Sequence, residues 1–326
     1  MSKKPIIDCH NHIGISINNY LVSASFPYAM TVEDLIVRMN LLGVDKAVIF
    51  PFESSYYPFL GEEKRLETPA FSKFPYEREN LNLLRETYEI YPEYKDRIIP
   101  FIMFDPSKET EAQAKHIKNL SKTYKINGFK TVTTYIKAFV KDFNKPGNHI
   151  RELAKEMNVP LIFHSTWMKT DPWANVFDVI ELAEKNPDLR FCVAHSARFV
   201  KDALDKAHSL PNCFVDTSAF KIHCDLVGRK SAAIPTGNER FEADYANPPS
   251  AIRSLVEAYP GTIIWGSDSP YHQFRQKYLD GNGKMVDVSL PASYDDEFKL
   301  LKSLPTNLVE QISYHNTMEF LGLKSI

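Results

Sequence analysis

Eight short apolar runs recur along the chain, and an amphipathic stretch of helical period separates most of them. This alternation constrains the fold more than any other feature. The runs are Ile6 to His12, Val44 to Phe50, Arg97 to Phe104, Ile126 to Val132, Pro160 to His164, Arg190 to His195, Cys213 to Thr217 and Thr262 to Gly266. They are β-branched and apolar on both faces, as parallel strands covered by helices must be. Helices are expected at Thr31–Leu42, Glu77–Tyr91, Glu109–Tyr124, Asn148–Met157, Trp173–Lys185, Arg198–Ser209 and Ser250–Ala258. Two closing helices follow at Asp295–Leu304 and Asn307–Phe320. Thr31 reads as an N-cap, and Gly43 lies just past the end of its helix. Eight strand–helix units predict an α/β fold of the (β/α)8 barrel type over residues 1–326, as one domain. An open doubly wound sheet fits less well, because none of the 12 glycines forms a phosphate-binding GxGxxG or GxxxxGK[ST] loop.

Length is compatible with either one barrel or two smaller domains. The 39 Lys and Arg balance 41 Asp and Glu, so the net charge is −2. A nucleic-acid-binding surface or a strong attraction to anionic membranes would need a basic excess. No apolar run approaches the roughly 20 residues that span a bilayer. The opening MSKKPIIDCHNH lacks the apolar core of a signal peptide, and a cytoplasmic location is the expectation. Cys9, Cys192, Cys213 and Cys224 form no CxxC pair and read as small buried hydrophobes. Strand alternation turns Cys9 away from His10.

Three connections are long, at about 51–76, 218–247 and 268–294. Each follows a strand, so each should emerge on the face where barrel active sites are built. The first carries Phe52, Tyr56, Tyr57 and Phe59, which suits an ordered cover over a pocket.

Chemistry gathers at the same strand ends. His10 and His12 end the first strand, His164 the fifth and His195 the sixth, and Asp268 follows the eighth. Two histidines two apart on an extended chain project to one side, as a chelating pair for a divalent ion does. Taken singly, each has an ordinary explanation: exposed strand-end histidines, a hydrogen-bonded buried histidine, a turn aspartate before Pro270. Together, at the converging ends of four strands, they point to one site. Lys130, Arg198, Lys221 and His223 could meet a substrate carboxylate, for which the guanidinium fork is well shaped. Trp167, Trp173, Tyr271 and Phe274 could line the pocket, or simply pack under loops.

These residues lie in segments that resemble the amidohydrolase superfamily: IIDCHNHIG, YPEYKDRIIPFIMFDP, INGFKT, PLIFHS, FCVAHS, IIWGSDSPY and ISYHNTMEFLGL. The similarity is to the amidohydrolase-related branch that includes the aminocarboxymuconate-semialdehyde decarboxylase-like enzymes. It implies a barrel binding one divalent metal, Zn2+ first and Mn2+ as the alternative, with His10, His12, His164 and Asp268 as ligands. The same resemblance makes His195 an unligated acid–base in a mononuclear site and a ligand in a binuclear one. Lys130 takes the strand-four position of a lysine that bridges two metals in some relatives. HSAR departs from the run common after strand six, which leaves the substrate contacts there open. Arg198, Lys130, Trp167 and Tyr271 are the candidate substrate contacts, and His195 and Asp268 the candidate catalytic pair.

The expected activity is hydrolysis of a small carbonyl compound. Non-oxidative decarboxylation of an aromatic or unsaturated acid is the alternative, since it uses the same residues. A metal-binding barrel without activity, serving as a binding module, is a further reading. The expected partners are a small-molecule substrate, carboxylate-bearing in one reading, and a further copy of the chain.

Overall fold

The structure is a computed structural model, and it describes residues 4–15, 29–52, 56, 72–279 and 285–323. The chain alternates strand and helix: β1 (Ile7–Ile15), β2 (Ala29–Met30), α1 (Val32–Leu42), β3 (Lys46–Pro51), α2 (Glu77–Arg85), β4 (Ile98–Met103), α3 (Thr110–Leu120) and β5 (Gly128–Thr131). It continues with α4 (Thr133–Ile136), α5 (His149–Met157), β6 (Leu161–Phe163), α6 (Val176–Lys185), β7 (Phe191–Val193), α7 (Lys201–His208), β8 (Cys213–Asp216) and α8 (Phe220–Gly228). Last come α9 (Pro248–Ala258), β9 (Ile263–Ile264), the hairpin β10 (Phe274–Leu279) and β11 (Met285–Leu290), and α10 (Tyr294–Lys302), α11 (Thr306–Glu310) and α12 (Asn316–Leu321).

The parallel strands lie in the order β1-β3-β4-β5-β6-β7-β8-β9, with β2 antiparallel on the outer part of β1. The sheet closes on itself. Cys9 N donates to Trp265 O at 3.0 Å, Asp268 N to His10 O at 2.8 Å and His12 N to Ser269 O at 2.6 Å. The fold is therefore the (β/α)8 barrel that the alternation predicted.

One apolar cluster fills the layer between strands and helices, and a second fills the barrel interior. The interior cluster includes Cys9, Phe50, Phe101, Ile162, Cys192 and Ile264, and α12 closes it from below with Met318, Phe320 and Leu321. Side chains fill the lower barrel, so the open space lies at the C-terminal ends of the strands.

Local chemistry explains the element limits. Thr31 caps α1 in a reciprocal box with Asp34, and Gly43 ends the helix at φ 76°. The expected helix at Glu77–Tyr91 is α only to Arg85 and continues as a π turn over Glu86–Ile90. The closing helix is likewise α11, a π turn over Gln311–His315, and α12.

Two of the long connections are not plain loops. Residues 218–247 contain α8, and 268–294 contain the β10–β11 hairpin. Most of 51–76 lies outside the described residues, Tyr57 and Phe59 included. Among the described residues, no helix is long and apolar enough to cross a membrane.

Two backbone irregularities shape the upper barrel. Asp8 pairs with Ala47 and Asn11 with Ile49, so β1 spends three residue steps where β3 spends two. This bulge breaks the alternation expected of Cys9 and His10. Cys9 packs in the interior cluster with Phe50, and the His10 ring also meets Phe50 edge-on, at 4.9 Å. Second, the helix expected from Arg198 begins only at Lys201. Before it, His195, Ser196, Ala197, Arg198 and Phe199 all have positive φ, between 48° and 63°. A left-handed turn built from five non-glycine residues is strained, by about 1 kcal/mol or more per residue.

Candidate metal centre

His10, His12 and Asp268 come together at the top of the barrel. One ligand atom from each lies within 4.8 Å of the others, and all three residues are buried. His10 Nε2 is 3.3 Å from Asp268 Oδ1, and His12 Nε2 is 3.7 Å from the same oxygen. The bulge in β1 brings His10 inward, and the extended backbone that follows aims His12 the same way. Gly266 permits this approach: a Cβ there would lie 2.8 Å from His10 Cβ.

Hydrogen bonds on the far side of each ring fix which nitrogen is free. His12 Nδ1 faces Pro51 O at 3.3 Å, and a carbonyl can only accept. His10 Nδ1 faces Asp216 Oδ2 at 2.8 Å. Both Nδ1 atoms therefore donate, and both Nε2 lone pairs turn to Asp268. Burial keeps the rings neutral: His10 is pushed down to about 4, with the nearby Lys130 charge helping, and His12 falls well below the usual imidazole range. Neutral imidazoles beside a carboxylate are the donor set a borderline divalent cation takes, so these residues fit such an ion.

His164 stands on the opposite side of the cavity and is not part of that three-residue group. Its Nδ1 is 2.9 Å from His195 Nε2, and its Nε2 is 3.4 Å from Arg198 Nη2. His195 reaches Asp268 from this side, with Nδ1 3.7 Å from Oδ2. Burial raises the Asp268 carboxyl well above its ordinary value, against the lowering pull of Lys130.

Lys130 is fully buried at the end of β5, with Nζ 3.4 Å from His10 Nε2. Burial lowers its pKa to about 8, although Asp216 and Asp268 pull the other way. Arg198 is aimed into the cavity by the left-handed turn. Its guanidinium donates to Ser165 O at 2.7 Å and meets His223 Nε2 at 2.5 Å. Among the described residues no carboxylate lies within ion-pair distance of it, and burial lowers its pKa to about 10.

These groups form the floor of a cavity of about 560 Å³. Its walls are Val132, Ile222, Leu226, Phe274, Val288 and Leu290, drawn largely from α8 and the hairpin. Tyr271 lines it and packs edge-on against His12 at 4.9 Å. Phe52, in the first long connection, lies at 5.3 Å from the same imidazole, nearly parallel to it. Trp167 does not reach the cavity: its ring packs on Phe177 and the outer core. Trp173 sits under Lys137, and Lys221 turns outward to Pro291 O and Asp225.

Two residues that the sequence reading passed over stand behind the site. Asp216, the last residue of β8, is fully buried and takes hydrogen bonds from His10 Nδ1, His195 N (2.9 Å), Ser218 N (3.0 Å) and Ser218 Oγ (2.5 Å). A carboxylate ending the apolar run CFVD was the available signal. Ser218, also buried, places Oγ 2.9 Å from His195 Nδ1.

A family model described as amidohydrolase matches residues 70–323. The chain belongs to the amidohydrolase family. The first-strand histidines precede the matched stretch, whereas His164, His195 and Asp268 fall inside it. A sequence comparison with curated proteins returns no match. Among solved structures, the chain resembles a probable 2-pyrone-4,6-dicarboxylic acid hydrolase from Acinetobacter baumannii with citric acid bound. That likeness has 14% identity and a TM-score of 0.58, over 98% of this chain and 100% of that one. It also resembles dihydroorotase from Saccharomyces cerevisiae in complex with 5-fluoroorotic acid (13%, 0.59, 98% and 85%). A third is the apo form of Metarhizium anisopliae IDCase (11%, 0.56, 98% and 98%). At these identities the likeness concerns the barrel itself. Members of the amidohydrolase family are typically metal-dependent enzymes acting on small molecules.

Proposed function

We propose that this amidohydrolase is a metal-dependent hydrolase acting on a small carbonyl compound that carries a carboxylate. One divalent ion, Zn2+ ahead of Mn2+, is held by His10, His12 and Asp268, with His164 as the remaining candidate ligand. The observation that carries this reading is the set of buried, neutral imidazole lone pairs converging on one carboxylate. When bound, such an ion polarises a carbonyl and makes water acidic near neutral pH.

The chain's own residues supply the rest. Asp268 Oδ2, turned towards His195, is placed to accept a proton, and His195 to pass one to the leaving group. Arg198 binds the carboxylate, because its fork faces the cavity with only neutral partners. Lys130 Nζ stands beside His10 to hold a substrate oxygen. Tyr271 and the apolar wall exclude water from the remainder of the substrate.

The apolar wall favours a second reading, decarboxylation of an aromatic or unsaturated acid in the decarboxylase-like branch, since a carboxylate pressed on apolar surface is destabilised. A panel of lactones, esters, amides and carboxylic acids, assayed on Zn2+-loaded protein with CO2 monitored, separates the readings. Product acid without CO2 supports hydrolysis, and CO2 release selects the lyase. Metal binding with no turnover across the panel leaves a binding module.

A further inference from the structure

Asp216 and Ser218 do not line the cavity, yet both are fully buried and hydrogen-bonded to site histidines. Asp216 is fully buried and uses both carboxylate oxygens. Oδ1 takes the backbone N–H groups of His195 and Ser218, at 2.9 and 3.0 Å, and Oδ2 takes the Cys192 thiol at 3.6 Å, so both oxygens act as acceptors. The Ser218 hydroxyl has one proton, and at 2.5 Å that proton goes to Asp216 Oδ1. Ser218 Oγ must then accept from His195 Nδ1, 2.9 Å away, with the Ser218 carbonyl a longer second acceptor at 3.4 Å. By the same elimination His10 Nδ1 donates to Asp216 Oδ2.

We propose that Asp216 is a positioning residue that sets the tautomers of two site histidines at once, His10 directly and His195 through Ser218. Both rings carry their proton on Nδ1, and both Nε2 atoms are left as lone pairs, that of His10 facing Asp268 Oδ1 at 3.3 Å and that of His195 facing His164 Nδ1 at 2.9 Å. Asp216 Oδ1 also accepts from the His195 backbone N–H, which anchors the first residue of the left-handed turn. One carboxylate on β8 thereby fixes the metal ligand on β1 and the proton carrier after β7 relative to each other. Fixing a ligand through its outer hydrogen bond tunes affinity for the ion by roughly 10–100-fold in metal sites generally.

The inference rests on the reading of His10 as a ligand and His195 as an acid–base, but it is tested without turnover. Two variants divide the two arms. Asp216→Asn should weaken Zn2+ binding, measured by chelator competition, by about 10-fold or more. It should also move the His195 ring out of the Nδ1–H form, read from 15N chemical shifts of ring-labelled metal-free protein. Ser218→Ala removes one hydroxyl and no charge. It should leave the Zn2+ dissociation constant within about threefold and His10 in the Nδ1–H form, while the His195 signal alone shifts. Three results would overturn the proposal: an unchanged His195 signal in Ser218→Ala, equal loss of Zn2+ in both variants, or unchanged Zn2+ affinity in a folded Asp216→Asn. If Asp216→Asn does not fold, the His195 signal in Ser218→Ala decides the matter. Failure to bind Zn2+ in the unsubstituted protein would instead defeat the metal reading and leave the tautomer result standing.

Discussion

The cavity has two sides made from different kinds of backbone. On one side, His10, His12 and Asp268 sit on strand ends tied by backbone hydrogen bonds between the first and last strands. On the other, His195 and Arg198 sit on a left-handed turn of five non-glycine residues, and His223 on α8. The strand side holds its groups through the ladder that makes the barrel. The turn side holds them through specific bonds, Phe241 N to Phe199 O at 2.8 Å and His195 N to Asp216. On the proposed reading, the ion falls on the side held by the ladder and substrate recognition on the side held by the turn.

Substitutions on the two sides should therefore differ in kind. The largest effect is expected from His10→Ala or Asp268→Ala, each removing a donor from the three-atom group. Zn2+ should be lost below one equivalent by elemental analysis and turnover should vanish, with the circular dichroism spectrum retained. His195→Ala should keep its metal and lose turnover by about 100-fold or more, the usual weight of a general acid–base. Loss of the ion in this variant would merge the two sides into one binuclear site.

Next in size is Arg198→Gln, on the turn side. Removing a charged partner from a buried carboxylate costs about 1.5–3 kcal/mol, so carboxylate inhibitors should bind roughly 10- to 100-fold more weakly while Zn2+ content stays at one equivalent. Gly266→Ala tests the strand side without removing a ligand atom. Its Cβ would meet His10 Cβ at 2.8 Å, and overpacking of this kind costs about 1–3 kcal/mol. A lower melting temperature and weaker Zn2+ binding are expected together.

Acidity supplies a smaller effect. His10 is held down to about 4 and His272 to about 3, both mainly by burial, against an ordinary 6.5. Their contribution to stability is complete above about 6.5 and is lost as the pH falls towards those values. The melting temperature of metal-free protein should fall steadily between pH 7 and 4, and a flat profile would contradict the buried neutral rings. The smallest effect is expected from Ala197→Gly. At φ 48° glycine relieves strain but adds unfolded-state freedom, so unfolding free energy by urea titration should change by less than about 1 kcal/mol.

Much of this was legible in the residues. The eight apolar runs marked the barrel strands, and their ends marked His10, His12, His164, His195 and Asp268 as neighbours, because a parallel barrel brings every C-terminal strand end to one face. Thr31 and Gly43 marked the limits of the first helix through side-chain and backbone chemistry confined to a few residues. What was hidden depends on long-range contacts. The bulge at Asp8–Asn11 is a matter of register against β3, and nothing local in DCHN announces it. The left-handed turn HSARF contains no glycine, so the usual mark of positive φ is missing. Asp216 and Ser218 matter through partners at His10 and His195, 206 and 23 residues away. Trp167 carried the same local signal as Tyr271, and only packing separates them.

The helix that closes the lower barrel has a consequence for how the molecule comes into being. Cys9, on β1, donates its thiol hydrogen to Thr317 on α12, and the interior cluster holds residues from β1 and from α12. A nascent chain that has made all eight barrel strands still lacks this floor, and its interior stays open to water until α12 has left the ribosome. His10 and His12, on β1, thus gain a closed barrel beneath them only when α12 has packed against it.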